Sequence, residues 1–132
     1  MAFIQPCFIR KNTLELRRKL EELGYENRGK VRYYGEPIYI YCEMDIFYTS
    51  PCKLKIPDNY IIDCGDNEEL FLALAALRDD SDYMQWFTYN NYWHKCLDNN
   101  FSKYAADWIL FPNADVWHKA TIKEIIEHFK DK

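Results

Sequence analysis

Leu16, Leu20 and Leu23 recur at helical spacing, and their neighbours mark where that helix begins and ends. Asn12 offers an N-cap, Glu15 is its capping-box partner and Gly24 supplies a left-handed stop, so a first helix is predicted between them. A second helix is expected after Gly65, with Asp66 and Glu69 as its capping box. Leu70, Phe71, Leu72, Leu74 and Leu77, interleaved with Ala73, Ala75 and Ala76, leave it almost no polar face, which places it at the centre of the core. In a third helix Thr121 and Glu124 form the box, while Ile122, Ile125, Ile126 and Phe129 form the apolar stripe.

Between the helices the period shortens to that of strands. Residues 3–10 read as a strand that Pro6 places at an edge or at a strand start. Residues 30–34 and 38–42, parted by Gly35, Glu36 and Pro37, predict a hairpin. Within it Ile38, Ile40 and Cys42 alternate with Tyr39 and Tyr41, which predicts one core face and one ring-lined outer face. Residues 46–49 extend the sheet until Ser50 and Pro51 break it, residues 57–59 form a turn, and 60–64 is a β-branched run. Residues 83–89 and 92–96, joined by Asn90 and Asn91, predict a second hairpin, whereas 101–111 fits helix and strand alike.

Laying Glu15, Leu16, Leu20, Leu23 and Cys42 onto Glu69, Leu70, Leu74, Leu77 and Cys96 suggests an internal duplication, at a level that two amphipathic helices also reach by chance. The expected fold is therefore α+β: a single globular domain over residues 1–132, mostly antiparallel sheet with about three helices, and two β-α-β-β units if the duplication holds.

Charge and composition narrow the function. Seventeen basic against 21 acidic residues leave a net charge of −4, opposite to the field that gathers phosphates, so nucleic acid is disfavoured as a partner. The local run Arg17, Arg18, Lys19 is balanced by Glu15, Glu21 and Glu22 and reads as a solvated helix face. Five cysteines (Cys7, Cys42, Cys52, Cys64 and Cys96), odd in number and widely spread, argue against a disulfide framework. The N-terminal residues lack the pattern of a signal peptide, and no segment approaches the roughly 18 apolar residues of a membrane span. A cytoplasmic protein with reduced thiols and no membrane partner is expected.

Chemistry-bearing residues are few. His94 and Cys96 would share one face of a strand, where an imidazole can lower a thiol pKa, and Cys42 would add a third zinc ligand. A strand end with one His and one Cys more often simply packs, so these stand as weak catalytic candidates. His128, near a helix C-terminus, is most simply a solvated residue whose positive charge suits the dipole. The glycines at 24, 29, 35 and 65 cannot write a phosphate-binding loop, there is no GxSxG or HExxH, and no cofactor or metal is expected. Asp79, Asp80 and Asp82 form an acidic knot that could face a basic partner.

The aromatic count is harder to dismiss. Tyr 11, Phe 8 and Trp 4 are more rings than a small domain can bury completely. Tyr33, Tyr39, Tyr41, Trp86 and Trp93 are the candidates for exposure, as a partner surface or as a stacking platform for single-stranded RNA. The structural alternative is a second layer, with the last helix or residues 101–111 covering them.

The strings spanning residues 7–25 (CFIRKNTLELRRKLEELGY) and 63–87 (DCGDNEELFLALAALRDDSDYMQWF) resemble small proteins of Bacteroidetes genomes and their phages. They hold no catalytic signature and transfer no site residues. The resemblance implies a context of mobile elements, whose small acidic proteins often act as accessory or anti-defence factors by binding a host protein. The leading expectation is a non-enzymatic protein-binding module, an inhibitor that docks an acidic, tyrosine-rich surface onto a basic, nucleic-acid-handling host protein. The alternatives are a small thiol- or zinc-dependent enzyme using Cys96 and His94, and a single-stranded RNA-binding module. A homodimer is left open.

Overall fold

The computed structural model describes residues 3–31, 34–57, 59–78, 84–89, 92–96 and 118–130. Tyr33, Asp79, Asp80, Asp82 and the 101–111 stretch lie outside them. The fold is α+β. Strands β1 (Cys7–Ile9), β2 (Glu26–Lys30), β3 (Tyr39–Glu43), β4 (Ile46–Ser50) and β5 (Ile62–Asp63) form a mixed sheet in the order β2-β4-β3-β1-β5. Strands β6 (Trp86–Tyr89), β7 (Tyr92–Lys95) and β8 (His118–Lys119) form an antiparallel sheet in the order β7-β6-β8. The helices among the described residues are α1 (Leu14–Leu23), α2 (Glu68–Ala75) and α3 (Ile122–Phe129).

The helix ends follow local hydrogen-bond chemistry, one residue later than expected in two cases. The hydroxyl of Thr13, rather than the Asn12 side chain, accepts from the backbone N–H of Leu16; Asn67, rather than Asp66, does the same for Leu70. Asn12 instead donates to the Pro37 carbonyl across the sheet end. Gly24 stops α1 at φ 119°, and the reciprocal Thr121–Glu124 box opens α3 as expected.

The first predicted hairpin is replaced by another. Strand β3 pairs with β4 through a tight turn at Met44 and Asp45, and β2 pairs with β4 in parallel at the sheet edge. Burial explains the choice. Phe47, Thr49 and Ser50 are buried and take an interior position, whereas every residue of β2 is exposed and suits an edge. The two β-α-β-β stretches thus share an order of elements but not a sheet: β5 lies parallel to β1, while β6 and β7 leave for the second sheet.

Met44 sits at φ 57° and is half exposed, a left-handed conformation that disfavours any side chain with a Cβ. Met44→Gly is expected to stabilise the protein by about 1 kcal/mol. The check is a higher urea midpoint with an unchanged slope; a lower midpoint would mean that the methionine side chain contributes more than the strain costs.

Period-two alternation sends the five-stranded sheet to two apolar layers. Cys7, Ile9, Ile40, Cys42 and Phe47 join Leu16, Leu20, Leu23, Leu70, Phe71 and Leu74 in the principal core. Phe8 and Tyr41 face the other way, and there the outer surface expected for Tyr41 is overturned: it is fully buried, while Tyr39 is half-buried. Among the described residues the covering comes from the segment that follows β4 and not from the last helix. The chain after β4 folds back so that Leu54, Ile56 and Ile61 pack on the rings. Tyr41 stacks on Phe8 at 4.8 Å and on Tyr48 at 5.6 Å, and its hydroxyl accepts the Leu54 N–H at 2.8 Å.

Candidate functional site

The helices and the second sheet meet along a groove of about 430 Å³. Its apolar lining comes from Leu72, Ala73 and Ala76 of α2 and its C-terminal turn, from Met84 and Trp86 at the hairpin, and from Phe129 of α3. Lys19 and Glu22 of α1, Glu69 of α2, Lys95 of β7 and His128 of α3 form its charged and polar rim. Ala73 and Ala76 are themselves buried, and their small side chains leave room for the groove on this side of α2.

The hairpin register places its side chains. Trp86 stands opposite Lys95 and Thr88 opposite Trp93, so the two tryptophans meet diagonally on one face, 6.3 Å apart and edge to face. Both rings touch Phe129, at 5.4 and 6.0 Å. His128 lies flat on Trp93 at 4.0 Å, so the expectation of a purely solvated histidine gives way to a half-buried one that helps line the groove. The α3 C-terminal turn is therefore clamped on the hairpin. Trp86 and Trp93 are half-buried, the first lining the groove and the second behind it.

Lys95 has an unusual position for a lysine. Its ammonium lies 5.8 Å from the Trp86 ring centroid and pairs with no carboxylate among the described residues. Burial, and next the neighbouring Lys19, lower its pKa. Lys19 itself is bridged to Glu15 on its own helix at 3.2 Å, as the charge pattern of α1 leads one to expect.

The other sequence-derived candidates are scattered. Tyr39 and Tyr41 belong to the sheet face covered by Leu54, Ile56 and Ile61, away from the groove lining. His94 is exposed and Cys96 is 1% exposed at the end of β7. Cys42 is not their neighbour but joins Cys7, its register partner, and Cys64 in the principal core. Burial pushes the Cys7 thiol well up, and hydrogen bonding with Cys7 followed by burial raises Cys64. Held protonated, these two thiols are poor nucleophiles. Among the described residues no three His, Cys, Asp or Glu side chains are arranged to hold a metal ion, and no helix is long and apolar enough to cross a membrane.

Sequence reasoning found the tryptophans but missed Lys95, Met84, Phe129 and the alanine floor as parts of one site. The alternation of Trp93 with His94 and of His94 with Lys95 held a signal, since it puts Lys95 on the tryptophan face. No protein-family model, curated protein or solved structure matches the chain.

Proposed function

We propose that this chain is a non-enzymatic protein-binding module that docks its partner in the groove between the helices and the β6–β7 hairpin. The observation that carries the reading is Trp86, half-buried in the lining of an apolar depression with a charged rim and backed by Trp93. Tryptophan anchors surrounded by polar groups that exclude water are the anatomy of protein interfaces. The narrower reading, an anti-defence inhibitor from a mobile element that acts on a host nucleic-acid-handling protein with a basic surface, is supported by the net charge of −4 and by the resemblance alone.

The test is an affinity pull-down from host lysate at low and high salt, repeated with Leu72→Glu and with Tyr60→Ser as a control on a distant surface. A stoichiometric partner is expected with the wild type and the control, with at least about a tenfold loss for Leu72→Glu, because a carboxylate would be buried against apolar contacts. Circular dichroism confirms that the variant is folded. Equal capture by the folded Leu72→Glu protein, or no stoichiometric partner at either salt, would count against the reading. A second copy of the chain as the partner would be seen by light scattering of the purified protein.

A further inference from the structure

We propose that the groove selects for a carboxylate: its occupant is a peptide segment in which a bulky apolar side chain is flanked by one aspartate or glutamate, and Lys95 pairs with that acid. The inference rests on groove docking as the function and names the chemistry of the docked segment. Lys95 shares a hairpin face with Trp86 and Trp93, is half-buried, and has no anionic partner among the described residues of a chain that is otherwise rich in carboxylates. Its contact with Trp86 offsets only part of the lost hydration, because a cation over a ring at a partly exposed site recovers little. A second cation, Lys19, approaches from α1 and adds repulsion. An arriving carboxylate relieves both penalties at once.

The remaining rim limits how much acid the site takes. Glu22 of α1 and Glu69 of α2 are exposed on the helical side of the groove, so a second carboxylate placed there would be repelled. His128 of α3 is engaged in its stack on Trp93. The apolar body of the occupant lies on Leu72, Ala73 and Ala76. A volume of about 430 Å³ stands near the lower end of ligand-sized cavities, which suits a few side chains rather than a whole helix.

The experiment uses the full chain, titrated by calorimetry with acetyl-Gly-Asp-Leu-Leu-Gly-amide and with its Asn and Lys counterparts. The Asp peptide is expected to bind about tenfold more tightly than the Asn peptide at low salt, and the Lys peptide more weakly than either. Lys95→Gln should erase the Asp-over-Asn preference, and Lys95→Arg should keep it. Saturable but equal binding of Asp and Asn peptides by the wild type would overturn the carboxylate pairing and leave groove docking standing. A preference that survives in Lys95→Gln would likewise overturn the role of Lys95. Failure of all three peptides to bind would overturn both.

Discussion

Phe71→Ala is expected to destabilise the protein by about 3–5 kcal/mol, among the largest losses a single substitution here can cause. Phe71 is fully buried in α2 and belongs to the core that α1, α2 and the five-stranded sheet share, with its own carbonyl 3.9 Å from the Cys7 thiol. Truncation would leave a cavity between a helix and a sheet that are each held by other contacts, so collapse cannot fill it. Small domains are stable by roughly 5–15 kcal/mol, and such a loss would leave a detectable unfolded fraction or abolish folding near 37 °C. Leu72→Ala is the comparison: the adjacent side chain is only half-buried and lines the groove, so its cost should be well under half as much. Urea denaturation of both variants measures the difference. Similar midpoints would mean that α2 buries a different face from the one described.

The second large effect is an alkaline collapse of stability. Burial raises the phenol of Tyr25 far above its ordinary range, Cys7 and Cys64 are raised as well, and Tyr41 and Tyr48 follow in the same direction. In the unfolded chain thiols lose their protons near about pH 8.5 and phenols near about pH 10, while the fold keeps them. The unfolded state then binds fewer protons, so stability falls as pH rises: full below about pH 8, reduced first by the thiols and then, above about pH 10, by the phenols. Each buried group held protonated contributes a slope of up to about 1.4 kcal/mol per pH unit. Cys7, Cys64 and Tyr25 together are enough to unfold a small domain within a few pH units. Tyr25→Phe loses the hydroxyl's bond to the Ala75 carbonyl and should cost about 1 kcal/mol at neutral pH, yet its stability should fall less steeply above about pH 10. Urea midpoints at stepped pH give both slopes. Parallel curves for the two proteins would show that Tyr25 does titrate in the folded state near its ordinary range.

The elements easiest to read were those whose signals are local. Gly24, the Thr121–Glu124 box and the leucine stripe of α1 act within one turn of helix, and the hairpin over Trp86–Tyr89 and Tyr92–Lys95 follows from two alternating runs around Asn90 and Asn91. Neighbouring caps were harder to separate. Asn12 and Thr13 are both good N-caps, as are Asp66 and Asn67, and the choice was made by what else each side chain could reach: Asn12 bonds Pro37, and Asn67 also donates to the carbonyl of Phe129. The pairing of β3 was misread because Gly35 and Pro37 advertise a turn, whereas Met44 and Asp45 do not; the tighter connection is set by the burial of Phe47 and Thr49 rather than by turn residues.

The candidate site was half visible. Two tryptophans on one face of a hairpin stand out in any reading, but a groove needs walls, and these come from α1, α2, the hairpin and α3, distant in the chain. Nothing in the neighbourhood of Ala73 or Ala76 says that a cavity rather than a side chain lies beyond them. The same non-locality misled the reading of Tyr41, whose alternation with Ile40 and Cys42 was correct while the residues that cover it, Leu54, Ile56 and Ile61, carry no periodic signal of their own.

By itself the amino-acid sequence determined the class of fold, the three described helices and the alternating faces of β3 and of the β6–β7 hairpin, because caps, stripes and alternation depend on residues only a few positions apart. Only the tertiary structure decided which strands pair, which aromatic face is sealed, and that Lys95 joins Trp86, Phe129 and the alanines in one groove. Those outcomes are set by competition among distant apolar surfaces for burial, and the winner depends on the whole chain at once.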